Sequence, residues 1–224
     1  MLNLTPTVFV VGPDASVRAS LETAIRRAGL SPRTHRSAGA LLAYPRRTGP
    51  SCIVLEVGVF DLTGLDALRR IAAERTDTPI IVVAKESDIP MTVLAMKAGA
   101  VEFLLKPLTD EELLDAIDHA ITRSRAILSR KAEVRELRSR YESLSVREQQ
   151  VMTRVVAGHL NKQIGIALGI SEITVKAHRG KAMHKMGAES LAELVTMAMR
   201  LDLTPASLMM PPIASSRANY SLTA

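Results

Sequence analysis

The heptapeptide SCIVLEV, residues 51–57, decides the fold. Cys52 to Leu55 are apolar without alternation, and a carboxylate, Glu56, follows at the end. Alternation would mark a strand with one wet face. An unbroken apolar run marks a strand covered on both faces, as in parallel sheets. TVFVVG (7–12) and PIIVVA (79–84) read the same way, and VEFLL (101–105) and a short segment at Arg33 to His35 supply two more strands. Helical patterns lie between them: Asp14 to Ala28, stopped by Gly29; Ala38 to Tyr44; Leu65 to Glu74; and Pro90 to Ala100. Strand–helix alternation predicts a doubly wound α/β domain with a five-stranded parallel sheet. Such sheets place their sites at the carboxyl ends of the strands, which is where Glu56 stands.

From Leu108 to Ala157 the sequence has neither Gly nor Pro. Thr109 and Glu112 form a capping box. Small or apolar residues recur at Leu113, Ile117, Ala120, Ser124, Ile127, Val134, Leu137 and Tyr141. The last helix of the first domain is therefore expected to run on into a long linker helix. That spacing is compatible with self-pairing or with a solvated spacer. Further capping pairs, Ser145 with Glu148 and Ser190 with Glu193, open two more helices, to about Ala157 and Leu203. Between them lie a short helix, about Lys162 to Leu168, and one capped by Ser171 that reaches Met186. The expected organisation is a first domain over 1–123, a helical linker over 124–143, an all-α four-helix domain over 144–203 and a flexible tail over 204–224.

Composition narrows the function. The 224 residues carry a net charge of +6, with 9 Lys/Arg against 6 Asp/Glu in residues 141–224. This surplus permits nucleic-acid binding without requiring it. The single cysteine, Cys52, excludes an internal disulfide framework and fits a reducing compartment. No leader peptide or bilayer-length apolar run is visible, so a cytoplasmic protein without membrane contact is expected. The five histidines lack metal-ligand spacing, and no cofactor motif appears; no metal and no cofactor are expected. The edge formed by Gly12, Pro13, Glu56, Ala84 and Lys106 carries no histidine or cysteine, which argues against an enzyme.

The two short helices joined at Gly169-Ile170 have the form of a helix-turn-helix. In the second, EITVKAHRGKAMHKM (172–186), Val175, Ala182, Met183 and Met186 take the inward positions. Lys176, Ala177 and Gly180 lie opposite, with Ile173 and His184 near the ends of that side. Gly in a helix interior costs about 1 kcal/mol relative to Ala. Close approach to a major-groove floor is one use for it. Arg179, Lys181 and Lys162 are placed to reach phosphates.

The run LSVREQQVMTRVVAGHLNKQIGIALGISEITVKAHRGKAMHKMGAES closely resembles the LuxR-type helix-turn-helix. The resemblance rests on its LSxRE opening, its NK-x-I step and its TVK-x-H recognition segment. It implies that Lys176, Ala177 and Gly180 face base edges, with Ala177 against a thymine methyl and Lys176 at a guanine. It also implies that Thr174, His178, Arg179 and Lys181 contact or support the backbone. His178 reads equally well as a packed histidine. Gly165, where that family usually has Ala, is expected to loosen the short helix.

MTVLAMKAGAVEFLLKP (91–107) resembles the receiver domain of bacterial response regulators, which have a flavodoxin-like fold. The combination looks like the FixJ/NarL class of transcription factors. The resemblance implies aspartyl phosphorylation. That chemistry needs an acidic pair holding Mg²⁺, an aspartate nucleophile, a Ser or Thr, and a Lys. Here Gly12-Pro13 replace the acidic pair, with Asp14 nearby, Glu56 stands for the nucleophile, and Ala84 replaces the hydroxyl residue. Lys106 is retained, and Phe103 takes the switch-aromatic position. The expectation is a degenerate phosphorylation site with a Glu56–Lys106 ion pair. The protein is then a DNA-binding transcriptional regulator acting independently of phosphorylation. The alternatives are a conventional phosphorylation-switched response regulator and a small-molecule sensor using the same pocket. The resemblance further implies double-stranded DNA, a second copy of the chain, and a protein partner or histidine kinase as partners. Its dimer face is Ile89, Val93, Met96, Lys97, Ala98 and Val101.

Overall fold

The computed structural model describes residues 5–46, 48–59, 62–86 and 89–203, without the side chains of 58 and 59. The tail expected from Thr204 lies outside the described residues. The chain divides into two compact units, 1–130 and 131–224.

The first unit is a parallel sheet of five strands in the order β2-β1-β3-β4-β5. The strands are β1 (Thr7–Val11), β2 (Ser31–His35), β3 (Ser51–Val59), β4 (Ile80–Glu86) and β5 (Ala100–Leu105). Helices α1 (Ala15–Arg27), α2 (Ala38–Ala43), α3 (Leu62–Glu74), α4 (Ile89–Lys97) and α5 (Asp110–Glu142) alternate with them. The period-two geometry of a strand splits each apolar run between two cores. Val8, Val10, Cys52, Val54, Ile81 and Val83 pack with α1 and α5 residues such as Ile25 and Ile117. Phe9, Val11, Ile53, Leu55, Ile80 and Val82 pack with Leu41, Leu65, Leu68, Ile71 and Ala95. The unbroken apolar reading of 51–57 therefore corresponds to a strand buried on both faces.

Several boundaries differ from expectation, for local reasons. Strand β2 begins at Ser31 rather than Arg33, and its register pairs Pro32 with Val8. A proline is tolerated there because β2 is an edge strand, with one side free of ladder bonds. Strand β4 continues through Lys85 and Glu86, whose exposed polar side chains do not look like a buried strand. Helix α4 stops at Lys97, and Gly99 takes φ +110° before β5 begins.

The recurring positions of the linker helix divide between the cores of the two units. Leu113, Ile117, Ala120 and Ser124 are buried, the first three within the first core. Leu137 and Tyr141 pack in the core of the second unit. Of the recurring positions, Ile127 and Val134 lie between those two groups.

In the second unit, the last part of α5 is followed by α6 (Val146–Val156), α7 (Asn161–Leu168), α8 (Glu172–Met186) and α9 (Leu191–Arg200). The core comprises Leu137, Val151, Met152, Val155, Ile164, Val175, Ala182, Met186, Leu194 and Ala198, among others. No helix among the described residues is long and apolar enough to cross a membrane.

Candidate functional site

Two groups of residues bear on function, one in each unit. In the first, the register pairs Val11 with Leu55. Glu56 is thus one step past the last β1–β3 pair, beside Gly12. Its side chain is 3 % exposed, and Oε1 accepts a hydrogen bond from Lys106 Nζ at 2.7 Å. Lys106 is fixed from behind by its backbone N–H, which donates to the Ala84 carbonyl at 2.8 Å. The second carboxylate oxygen, Oε2, is buried without a hydrogen-bond partner. It occupies the space left by a missing side chain: a Cβ on Gly12 would lie 2.5 Å from Oε2. Gly12 and Glu56 therefore fit as a pair.

The remaining strand-end residues are not all brought together. Pro13, Asp14, Glu56, Lys85, Lys106 and Pro107 line an open pocket of about 600 Å³. Asp14 is occupied as the N-cap of α1: its Oδ1 accepts from the backbone N–H of Val17 at 3.2 Å and of Ser16 at 2.8 Å. Those two bonds hold its carboxyl below the ordinary aspartate range, with a minor contribution from Lys106. Ala84 is fully buried in the α2–α3–α4 core and offers no polar side-chain atom. Phe103 packs partly buried against that same core. Two contributors escaped the sequence reading. Arg18 donates to the Gly12 carbonyl at 2.5 Å. Lys85 lines the pocket, and its position directly after the apolar part of β4 is the signal that would have found it.

The fold's usual divalent cation does not suit this donor set. Gly12 and Pro13 supply no carboxylate. Asp14 is turned to its helix cap. Glu56 gives one oxygen to Lys106 and closes the other against Gly12. A hard cation needs several free oxygen ligands. Among the described residues no cluster of three or more His, Cys, Asp or Glu is arranged to hold a metal.

In the second unit, α7 and α8 join through Gly169, which takes the left-handed conformation at φ +66°. A Cβ on Gly165 would stand 2.8 Å from the Ile170 carbonyl oxygen. The glycine thus lets the turn close tightly against α7, whereas the sequence reading expected a loosened helix. Ser171 caps α8, accepting from the Thr174 N–H at 3.1 Å and sharing a 2.8 Å hydrogen bond with the Thr174 hydroxyl. Glu148 anchors α6 to α8. Its Oε2 accepts from Lys185 Nζ at 2.7 Å and from the Ser145 N–H at 2.8 Å. The Lys185 hydrogen bond, then that of Ser145, lowers the Glu148 carboxyl below its usual range.

Val175, Ala182 and Met186 face inward from α8. On the other side Lys176, Ala177 and Gly180 are exposed, as are Lys181 and, from α7, Lys162. His178 and Arg179 are half-buried. The Nδ1 of His178 is shielded without a hydrogen-bond partner. Lys176 Nζ lies 3.2 Å from Glu172 Oε1 at the helix start. No atom lies within 4 Å of a Cβ built on Gly180, so nothing in the unit requires a glycine there.

The expected dimer face is mixed in exposure. Ile89 is 81 % exposed, and Val93, Met96 and Lys97 are exposed as well. Val101 instead packs partly buried against the α1–α5 core, and Ala98 against the core on the other side of the sheet.

Residues 8–118 match the response regulator receiver domain family. Residues 142–198 match the bacterial regulatory proteins, luxR family. Over 197 residues the chain is 45 % identical to Nodulation protein W of Bradyrhizobium diazoefficiens, covering 88 % of this chain and 87 % of that one. It is 40 % identical to the response regulator protein TodT of Pseudomonas putida, covering 90 % and 88 %. It is 38 % identical to the transcriptional regulatory protein FixJ of Rhizobium meliloti, covering 86 % and 95 %. Among solved structures, the response regulator StyR superposes with a TM-score of 0.71 at 38 % identity, over 88 % of this chain and 100 % of that one.

Proposed function

The chain belongs to the bacterial response regulators in which a receiver domain precedes a LuxR-type DNA-binding domain, and from that premise we propose that it regulates transcription from specific DNA sites without being phosphorylated. The observation that carries this reading is the state of Glu56. One oxygen is committed to Lys106, and the other is sealed where Gly12 leaves room. A phosphoryl acceptor must present a free carboxylate oxygen in line with the donor, beside a cation that neutralises the charge. Neither condition fits these residues, and Ala84 has no hydroxyl to hold a product.

The ion pair stands in for the switch. The lysine that would bind a phosphoryl oxygen is instead drawn to a carboxylate built into the chain. In this reading the receiver is held in one state, and its output depends on dimerisation or on a protein partner. The dimer uses the exposed Ile89, Val93, Met96 and Lys97. DNA binding uses Lys176, Ala177 and Gly180 at base edges, with Lys162, Thr174, His178, Arg179 and Lys181 at the backbone. Two copies would then address paired half-sites.

Incubating the full chain with acetyl phosphate, with and without Mg²⁺, tests the reading directly. Intact mass should show no phosphoryl adduct, and footprinting of the untreated protein should give specific protection. An adduct on Glu56 that raises DNA affinity would restore the conventional phosphorylated regulator. The 600 Å³ pocket also favours a second reading, a small-molecule input at Lys85 and Lys106. Native mass spectrometry would reveal a retained ligand.

A further inference from the structure

Ile173 is 80 % exposed in the first turn of α8. A lone exposed isoleucine is ordinary on a protein surface. This one has a particular place. At 3.6 residues per turn, positions 173, 176, 177, 180 and 184 fall on one side of α8. That side is opposite the buried Val175, Ala182 and Met186. Ile173 is at its centre line, in register with Ala177 and Gly180 at i+4 and i+7. Lys176 and Lys181 flank the line, and both are exposed. The result is a low apolar strip, highest at its N-terminal end, bordered by cations.

We propose that Ile173 is a specificity-determining residue that contacts the 5-methyl group of a thymine in each half-site. The inference rests on the DNA-binding reading above. Of the groups on base edges in the major groove, only the thymine methyl is apolar, and an aliphatic side chain distinguishes it from cytosine at the same place. The N-terminal residues of a recognition helix are those that reach base edges. Glu172 holds Lys176 at 3.2 Å beside this end of the helix, so a cation and an aliphatic group are presented together. Gly180, with open space where its Cβ would be, lets the helix sit close enough for the contact.

The test uses the full chain. Binding sites are first selected from randomised duplex DNA. Each thymine of the selected site is then replaced by uracil, which removes only the methyl group. At one thymine per half-site, uracil should weaken wild-type binding about fourfold, the worth of one buried methyl. The same replacement should leave the affinity of Ile173→Ala unchanged. Because Ile173 is 80 % exposed, the variant should unfold close to the wild-type midpoint. If uracil affects neither protein, or both equally, the Ile173 contact is refuted while DNA binding stands. If selection enriches no sequence at all, the DNA-binding reading itself fails.

Discussion

Glu56 shows how much one methylene can change. Its side chain is 3 % exposed and pairs at 2.7 Å with Lys106, whose own side chain is 22 % exposed. Removing one member of a buried pair leaves an uncompensated charge, at a cost of about 3 kcal/mol or more. Lys106→Met should therefore lower the urea midpoint of the full chain, and Lys106→Met with Glu56→Met should recover much of the loss. Additive losses would show that the two groups do not act together. Glu148 makes a second prediction, in pH. Its folded carboxyl titrates below the ordinary value of 4.5, because Lys185 and the Ser145 N–H stabilise the anion. This contribution is complete above about pH 4.5 and is lost as pH falls through the lowered folded value. Acid unfolding followed by circular dichroism should show a shallower loss below pH 4.5 in Glu148→Gln than in the wild type. Both carboxylates were visible in the sequence, one at a strand end and one in a capping box. Their cationic partners were not equally so. Lys106 followed from the family pattern, whereas Lys185, 37 residues from Glu148, is brought near only by the packing of α8 on α6.

At the scale of elements, two glycines in the helix-turn-helix have opposite reasons. Gly165 is required by its own fold, since a Cβ there meets the Ile170 carbonyl at 2.8 Å. Backbone cannot step aside cheaply, so Gly165→Ala should cost about 1–3 kcal/mol, read as a lower thermal midpoint. Gly180 is different: a methyl group added there would meet no atom within 4 Å. Gly180→Ala should therefore stabilise the protein by up to about 1 kcal/mol. It should at the same time weaken binding to a selected duplex by anisotropy titration. Stability and affinity moving together would remove the groove-contact explanation for that glycine. The elements themselves were legible where local chemistry announces them. The caps at Thr109, Ser145, Ser171 and Ser190 are all formed. Where an edge or a strand end replaces burial, as at Ser31 and at Lys85 to Glu86, the apolar signal fades and the boundary moved. The reason for Gly165 was beyond sequence reading, because the oxygen it meets arrives through the turn at Gly169.

At the scale of the molecule, a signal-receiving fold is joined to a DNA-reading fold, and the joint α5 lends residues to both cores. The proposed dimer predicts that Ile89→Glu with Val93→Glu shifts sedimentation equilibrium toward monomer and weakens binding to a paired site more than to a half-site. An unchanged mass would place self-association elsewhere. The contact between Gly12 and Glu56 has a consequence of another kind. The two positions are interlocked. Any side chain placed at 12 collides with the glutamate while that residue remains. A shorter residue placed at 56 hollows out the space beside a glycine. Neither replacement is favourable alone, so the two positions are expected to change only together.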